Sequence, residues 1–297
     1  MTEIAIGIDL GGTRIKAIVM DRSGNLLDEQ YQSTFDGDDI KWKKTVADIV
    51  TQWQNKWDLQ KPVIGISAPG IPNAANSAIA FMPYRLQGLE NFEWSNYLQL
   101  QCTVLNDAVA AMMAEARFGA AKNIRNIVMI TLGTGVGGAI LINGLPYLGA
   151  FGKAGHIGHM VINDEGHTDI CGMPGSLEDA IGNVTIYRRS GGRFTSTQEL
   201  LDAYRKGDKK AKEVWLTSVK KLAIGISSLT NILSPEAIVL GGGLCEAGQD
   251  LFDPLEIYMS QYEWRTGGNE TLIVKAIFGE KAGAIGAACF ALEERNK

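Results

Sequence analysis

The 297-residue sequence has few of the features that mark secreted, membrane-spanning or nucleic-acid-binding proteins. Its four cysteines lie far apart without paired spacing, which is typical of a reducing cytosol rather than of a disulfide framework. No apolar run approaches the ~20 residues of a membrane span, and the opening MTEIAIGIDLGG shows no leader pattern. With 28 Lys plus Arg against 33 Asp plus Glu, the chain has no basic excess for nucleic acid or anionic membranes. We therefore expect a soluble cytoplasmic protein without nucleic-acid or membrane partners.

Glycine, in contrast, is abundant, with 35 of the 297 residues against a typical share of ~7%. The glycines follow no G-X-Y period, which excludes a collagen-like chain, and a hydrophobic content of 45% excludes general disorder. Fifteen of them fall within residues 133–192. The positions of the glycines, rather than their number, therefore guide the interpretation.

Strand and helix patterns alternate along the chain, which predicts an α/β fold. Alternating isoleucines at 4, 6 and 8 precede a Gly-Gly turn and a second apolar strand. A helix with a buried tryptophan stripe is expected after an N-cap at Asp38 or Asp39. A long helix is expected over Lys209–Leu233, ended by Pro235, and a closing helix over Ala282–Glu294.

Two segments of the chain resemble each other: IGIDLGGTRIKAIVMDRSG at residues 6–24 and VMITLGTGVGGAILINGLP at residues 128–146. Each is an apolar strand, a Leu-Gly turn with Thr and Gly, a second apolar strand and another turn. This internal duplication predicts two lobes. We expect the N-terminal lobe to hold residues 1–120 plus 283–297, and the C-terminal lobe residues 121–282.

The glycine turns are candidate phosphate-binding sites, because backbone amides without a neighbouring Cβ can approach an anion closely. The first holds Gly11, Gly12 and Thr13, and the second holds Gly133, Thr134 and Gly135. Neither matches a Walker loop or a Rossmann motif, and an ordinary hairpin turn remains the alternative for the first. A third glycine cluster, Gly241, Gly242 and Gly243, ends a predicted strand, where α/β folds commonly bind ligands.

Seven motifs spread over nearly the whole chain resemble, in order, those of the ROK (repressor, open reading frame, kinase) family. They read DLGGTRIKAIVMD, SAPGIPN, LNDAVAA, LGTGVGGAILING, GHIGHM, CGMPGSLEDAIG and IVLGGGL. The resemblance implies a two-lobed, duplicated ribonuclease H-like fold of the actin/hexokinase type, with lobes that close over the substrates. It also implies ATP-dependent, Mg²⁺-requiring phosphorylation of a hexose-like sugar by a homodimer.

Asp107 is the candidate catalytic residue. It follows an apolar strand and opens an Ala-rich helix, so it could be merely a helix cap. The resemblance implies instead a general base that takes the proton of a sugar hydroxyl as that hydroxyl attacks the γ-phosphate of ATP. It further implies that Asp9 holds Mg²⁺ through water.

The resemblance assigns the remaining site residues to two groups. The implied substrate contacts are Asn106, Asp107, His156, His159, Glu178, Gly70 and Arg85. The implied ATP contacts are Gly11, Gly12, Thr13, Gly133, Thr134, Gly135, Gly241, Gly242 and Gly243.

One departure from the family pattern concerns a structural zinc ion, which many ROK proteins bind through a histidine and three cysteines. Here His159 and Cys171 remain, while Asp169 and Ser176 stand where two thiolates are expected. Serine is a poor zinc ligand, so we expect no zinc. A substitute site that uses His159, His167, Asp169 and Cys171 stays open as an alternative.

A second departure concerns the sugar. His156 stands where the family has a glutamate, and Arg85 stands about where an asparagine is usual. A neutral imidazole accepts at most one hydrogen bond, whereas a carboxylate can accept several. The two residues would add positive potential to the pocket, which favours an unusual sugar such as an acidic one. Loss of ordinary glucose affinity without a new preference is the alternative.

Several other functions are alternatives to that of a sugar kinase. A sugar-responsive repressor would need a helix-turn-helix before the first strand, and none is expected here. A catalytically weak sugar sensor would fit the changed sugar region but not the intact Asp9, Asp107 and glycine hairpins. A kinase for an amino, acylated amino or acidic sugar derivative, or one that uses polyphosphate as donor, remains open.

Overall fold

The computed structural model describes residues 3–82 and 85–295. The chain divides into two compact units. The first runs to Asn123 and includes Leu148–Lys153 and the segment from Ile277 onward; the second comprises Ile124–Tyr147 and Ala154–Ala276.

This division differs from the expected one, which put residues 121–123, 148–153 and 277–282 in the other lobe. The later segment joins the first unit because the buried carboxylate of Glu115 accepts hydrogen bonds from the amides of Ile277 and Phe278, at 2.8 and 3.0 Å. Residues 1–2 and 296–297 of the expected first lobe lie outside the described part of the chain.

The first unit contains seven strands and four helices among its described residues. Its strands are β1 (Ile4–Leu10), β2 (Arg14–Asp21), β3 (Leu26–Ser33), β4 (Val63–Ala68), β5 (Ile71–Pro72), β6 (Ile79–Phe81) and β7 (Cys102–Asn106). Its helices are α1 (Asp39–Lys56), α2 (Trp94–Leu98), α3 (Asp107–Phe118) and α9 (Ala282–Glu294).

Five of these strands form one sheet in the order β3-β2-β1-β4-β7. β2 pairs with its neighbours antiparallel, whereas β1, β4 and β7 run parallel. Asp9 is level with Ser67, and Ser67 with Leu105, so the carboxyl ends of the three parallel strands meet at one edge of the sheet. Functional side chains on those ends are thereby brought together.

Helix α9 packs on this sheet at very short range. A Cβ at Gly7 would stand 2.0 Å from the carbonyl oxygen of Ala284, and a Cβ at Gly65 would stand 1.9 Å from that of Ala287. Any larger residue at either position would force the helix away from the sheet. The packing of α9 on β1 and β4 therefore depends on these two glycines.

The second unit repeats the plan of the first. Its strands are β8 (Ile127–Leu132), β9 (Val136–Ile142), β10 (Leu145–Pro146), β11 (Ala237–Gly241) and β12 (Leu272–Lys275). They pair in the order β10-β9-β8-β11-β12, with β8, β11 and β12 parallel. The hairpin β8-β9 therefore corresponds to β1-β2, which is the duplication that the sequence predicts. The mixed α/β, duplicated fold class is confirmed.

The helices of the second unit are α4 (Leu177–Ile181), α5 (Ile186–Arg189), α6 (Thr197–Arg205), α7 (Lys209–Leu233) and α8 (Gln249–Tyr262). The bounds of α7 are as predicted, and the predicted N-cap of α1 is Asp38. Gly182 is the C-cap of α4, and α5 begins only at Ile186. Among residues 3–82 and 85–295, no helix has both the length and the hydropathy that crossing a bilayer requires.

Candidate active site

Asp9 lies next to the end of β1 and is almost fully buried. Its carboxylate accepts a hydrogen bond from the Ser67 hydroxyl at 2.8 Å and lies 3.4 Å from the Lys16 ammonium. The second residue of α9, Gly283, lies against it, so the positive end of that helix faces the carboxylate. Burial raises the pKa of Asp9, while Lys16 and Ser67 act in the opposite direction. These contacts hold the Asp9 carboxylate at the edge of the sheet where the parallel strands end.

Asp107 is the first residue of α3, directly after β7. Its Oδ1 accepts a hydrogen bond from the Ala108 amide at 2.8 Å. The pKa of Asp107 is raised to about 6. The main cause is desolvation of the carboxylate by the surrounding protein, and the second is the negative charge of Asp9. The side chain nevertheless remains accessible to water, so a substrate hydroxyl can reach it. A carboxylate with such a pKa is suited to take up and release a proton near neutral pH.

Asn106, rather than Asp107, is the N-cap of α3. Its Oδ1 accepts hydrogen bonds from the amides of Ala108 and Val109, and its Nδ2 donates to the carbonyl oxygen of Gly70. The cap therefore leaves the Asp107 carboxylate free of that structural role. Asn106 has only one amide hydrogen left for a sugar, and Gly70 serves as its backbone partner.

The carboxylates of Asp9 and Asp107 are suitable ligands for a magnesium ion. Mg²⁺ binds oxygen ligands, usually one or two carboxylates together with water and phosphate oxygens. Asp9 and Asp107 lie close enough for the charge of Asp9 to raise the pKa of Asp107. A cation would relieve that repulsion, and Asp9 is the residue predicted to hold it.

The first hairpin, residues 11–13 between β1 and β2, has two backbone amides to offer a ligand. The amide of Gly11 is used within the turn, where it donates to the Arg14 carbonyl. The buried Thr34 fixes the turn with two hydrogen bonds: its hydroxyl donates to the Gly11 carbonyl and its amide donates to the Thr13 carbonyl. Within the described part of the chain, the amides of Gly12 and Thr13 have no hydrogen-bond partner. The turn therefore matches the backbone nest that binds anions.

Arg85 lies against this first hairpin. A Cβ at Gly12 would stand 1.8 Å from the Nη2 of Arg85 and 2.9 Å from its Cζ. The structure thus places the Arg85 guanidinium next to the predicted phosphate turn, and the sugar contact predicted for Arg85 stays a prediction.

The second hairpin, residues 133–135 between β8 and β9, has the same backbone pattern. The Gly133 amide donates to the Gly135 carbonyl, and the amides of Thr134 and Gly135 lack partners among the described residues. Glu178 of α4 lies against this hairpin: its Oε2 accepts from the Val136 amide at 2.9 Å and would stand 2.2 Å from a Cβ at Gly135. The predicted sugar ligand Glu178 thus sits beside the second hairpin.

The third glycine cluster, residues 241–243, adjoins the second hairpin. Gly241 ends β11 and is level with Thr131 of β8. A Cβ at Gly242, whose φ is +89°, would stand 2.3 Å from the carbonyl oxygen of Leu132. The glycine turns of the second unit are therefore next to each other at the carboxyl ends of parallel strands.

The two histidines predicted to contact the sugar differ in availability. His159 has both ring nitrogens engaged, with Nδ1 2.8 Å from Asp169 and Nε2 3.4 Å from the Sγ of Cys171. The half-buried His156 has no hydrogen-bond partner for its ring among the described residues. Burial and the neighbouring His159 lower the pKa of His156. Both causes favour the neutral imidazole over the protonated form that the predicted positive potential needs, and the role of His156 stays a prediction.

The cluster of His159, Asp169 and Cys171 is the one group in the described residues able to offer three such metal ligands. His167, the fourth member of the alternative site, is not part of it. A structural zinc takes four ligands, and here the imidazole uses different nitrogens toward Asp169 and Cys171. The surrounding protein and nearby carboxylates also raise the pKa of Cys171, which favours the thiol over the thiolate that zinc binds. This donor set does not fit a structural zinc, and the absence of zinc stays a prediction.

Sequence reasoning missed several contributors to the site. Ser67, Lys16 and Gly283 surround Asp9, but the sequence predicts a role for none of them. The signal available for Ser67 and Lys16 was their place in strands next to β1. The contact of Gly283 depends on residues far apart in the sequence, so no local pattern could have indicated it.

Comparisons with known proteins agree over almost the whole chain. The family model described as "ROK family" matches residues 5–294. A glucokinase from Streptomyces coelicolor is 29% identical over 324 residues, covering 98% of each chain. The crystal structure of the ROK hexokinase from Thermus thermophilus is similar with a TM-score of 0.88 at 27% identity, covering 99% of this chain and 100% of that one. The ROK glucokinase from Streptomyces griseus, solved with glucose and AMPPNP, has a TM-score of 0.79 at 26% identity, covering 98% and 99%.

Proposed function

This chain belongs to the ROK family, and from that premise we propose that it transfers the γ-phosphoryl group of ATP to a hydroxyl group of a hexose-like sugar. The similar proteins named glucokinase and hexokinase, and the complex of one of them with glucose and AMPPNP, support both substrates.

The observation that carries the proposal is the state of Asp107. Its carboxylate is freed from capping by Asn106, is accessible to solvent and has a pKa raised to about 6. At neutral pH it is ionised, and it holds a proton more readily than an ordinary aspartate. These are the properties of a general base for an alcohol.

In the proposed reaction, the sugar hydroxyl oxygen attacks the γ-phosphorus of ATP. The bond between that oxygen and phosphorus forms while the bond from phosphorus to the bridging oxygen of ADP breaks. Asp107 takes the hydroxyl proton, so the products are the sugar phosphate, ADP and a proton that Asp107 later releases. The carboxylate thereby keeps the attacking oxygen from carrying a positive charge.

Asp9 would hold a magnesium ion, with Ser67 and Lys16 fixing the orientation of its carboxylate. When bound, the ion would neutralise negative charge on the phosphate oxygens. The free amides of the first hairpin would bind the same phosphates. In the second unit, the second hairpin and residues 241–243 would bind the nucleotide, while Glu178 and His156 would contact the sugar.

The test is ADP release by the purified protein with Mg²⁺-ATP and a panel of neutral, amino and acidic sugars. We expect turnover with at least one hexose. Asp107→Asn should lower kcat by about 10²- to 10⁴-fold, because general-base assistance of this kind is lost. AMPPNP binding and Tm should be unchanged, since Asn106 and not Asp107 caps the helix.

Asp48→Asn is the matched control, because Asp48 is an exposed aspartate of the first unit that pairs with Lys44 on the surface of α1. Its kcat should equal that of the wild type. Wild-type turnover by Asp107→Asn would refute the assignment of the base. Failure of the wild type to phosphorylate any sugar, despite binding AMPPNP, would favour a sugar sensor.

Two further expectations complete the proposal. We expect a homodimer, from the resemblance to the family, and a cytoplasmic location, from the scattered, unpaired cysteines. Light scattering of the purified protein would decide the first, and cell fractionation the second.

A further inference from the structure

Three cationic side chains flank the first hairpin, and they differ in their partners. Arg14 forms an ion pair with Glu280 at 2.9 Å, and Lys16 lies 3.4 Å from Asp9. For Arg85, residues 3–82 and 85–295 provide neither a hydrogen bond nor a carboxylate partner. Arg85 is solvent-exposed, so its five N–H donors remain available to an anionic ligand.

The backbone next to Arg85 is held firmly, although the side chain is exposed. Leu86 is buried in the core of the first unit, and its amide donates a hydrogen bond to Asp36. Leu86 has a φ of +48°, a conformation that costs a non-glycine residue free energy and persists only when its surroundings fix it. The fold therefore fixes the backbone next to Arg85, and from there the guanidinium reaches Gly12.

The contact with Gly12 places the guanidinium beside the two free amides of the first hairpin. Gly12 and Thr13 supply these amides, and Arg85 Nη2 occupies the space that a Cβ at Gly12 would fill. Backbone amides and a planar guanidinium together form a donor set that matches the oxygens of a phosphate group. A sugar hydroxyl would satisfy only one or two of these donors and carries no charge.

We propose that Arg85 is a further catalytic residue, whose guanidinium binds the γ-phosphoryl group of ATP at the first hairpin while that group is transferred. This inference rests on the proposed kinase function. During transfer, negative charge is spread over the γ-phosphate oxygens and the bridging oxygen of the departing ADP. Arg85 stabilises that charge, and it also offsets the negative charges of Asp9 and Asp107 at the same edge of the sheet.

The test compares Arg85→Gln and Arg85→Lys with the wild type in the sugar phosphorylation assay. Arg85→Gln should lower kcat by about 10²- to 10³-fold, as does the loss of a single donor to transition-state charge in other enzymes. The KM for the sugar should change less than about twofold, because the residue contacts phosphate and not sugar. Arg85→Lys keeps the positive charge but loses the planar guanidinium, so its kcat should lie between those of the wild type and Arg85→Gln.

A binding measurement that needs no turnover complements the assay. Titration with AMPPNP and with ADP, without sugar, reports whether Arg85 recognises the third phosphate. Arg85→Gln should weaken AMPPNP binding about tenfold, the loss of one charge-assisted contact, and should leave ADP binding unchanged. Arg22→Gln is the matched control: Arg22 is exposed in the same unit, follows β2 and pairs with Glu3.

The outcomes separate this inference from the proposed function. A fall in kcat at constant sugar KM, or a loss of AMPPNP binding alone, supports the role of Arg85. Wild-type kcat and AMPPNP binding in Arg85→Gln, or a rise confined to the sugar KM, overturns it. A wild type that binds AMPPNP but phosphorylates no sugar refutes the kinase proposal, while the AMPPNP and ADP titrations still decide whether Arg85 reads the third phosphate.

Discussion

The first and second hairpins share a backbone design but differ in the charge placed against it. In both, the first glycine of the turn uses its amide internally and the next two residues leave theirs free. Against the first hairpin lies the guanidinium of Arg85, in the space that the missing Cβ of Gly12 leaves. Against the second lies the carboxylate of Glu178, in the space that the missing Cβ of Gly135 leaves. The two turns of a duplicated fold thus hold side chains of opposite charge.

This difference in charge indicates that the two turns suit different chemical groups. A cation beside free amides favours the oxygens that gain charge during phosphoryl transfer. A carboxylate beside free amides disfavours them and is suited to accept hydrogen bonds from hydroxyl groups. Duplication supplied two equivalent backbones, and the side chain that fills each glycine gap distinguishes them.

Within this comparison of the two hairpins, the largest effect is expected when a Cβ is added at Gly12 or at Gly135, one variant at a time. Gly12→Ala should push the Arg85 guanidinium away and lower kcat about 10²-fold. Gly135→Ala should displace the Glu178 carboxylate and raise the sugar KM about tenfold, with kcat changed less than threefold. Both clashes are with the ends of flexible side chains, so Tm should be preserved in each variant. Steady-state kinetics with both substrates varied measures the difference.

The matched control is Gly37→Ala, because an added Cβ at Gly37 meets nothing within 4 Å. It should behave as the wild type. Equal effects of Gly12→Ala and Gly135→Ala on kcat and sugar KM would contradict the division of labour between the hairpins.

A smaller effect concerns the pH dependence beside the first hairpin. Asp107 must be ionised to accept a proton, and its pKa is raised to about 6. Activity should therefore be lost as the pH falls, with kcat/KM declining about tenfold for each pH unit below 6.

Asp9→Asn removes the negative charge that contributes to the raised pKa of Asp107. Its residual activity should show a midpoint at lower pH than that of the wild type, measured as kcat/KM from pH 4.5 to 8. A midpoint that stays in place would contradict the coupling of the two carboxylates.

The smallest effect concerns the loop that precedes Glu178. Asp169, almost fully buried, accepts hydrogen bonds from the amides of Cys171 and Met173 and from His159. Burial alone would raise its pKa, but these hydrogen bonds and that of Ser176 hold the pKa below its ordinary value. Asp169 therefore stabilises the fold while ionised, and this stabilisation is lost as the pH falls through its pKa.

Asp169→Asn should lower the unfolding free energy by about 1–3 kcal/mol at neutral pH, which thermal unfolding would show as a lower Tm. A metal chelator should leave the Tm of the wild type unchanged. Stoichiometric zinc in the purified protein, or a Tm that falls with chelator, would show that a metal rather than Asp169 organises this loop.

Much of the fold was predictable from the sequence because its signals are local. The periodic apolar face and the flanking Asp208 and Pro235 define α7, and the repeated Leu-Gly turns disclose the duplication. The sequence left Asp107 open as a base or a helix cap; the structure shows that Asn106 is the cap, which leaves Asp107 available for the proposed role.

What could not be predicted depends on contacts between distant residues. Arg85 aligns loosely with a sugar-binding position, yet its side chain reaches Gly12, 73 positions earlier in the chain. Both ring nitrogens of His159 are occupied by loop residues, which no spacing reveals. The lowered pKa of His156 follows first from its burial, which is likewise a property of the folded loop.

The close packing of α9 has a consequence for how the protein is made. The helix seats on β1 and β4 through Gly7 and Gly65, and its start lies against Asp9. Strand β1 is synthesised before α9, so its sheet is covered by this helix only after residues 282–294 have been made. Until then, the apolar face that α9 will occupy is exposed in the nascent chain. We infer that the edge of the first sheet that carries Asp9 is completed only after residues 282–294 have been synthesised.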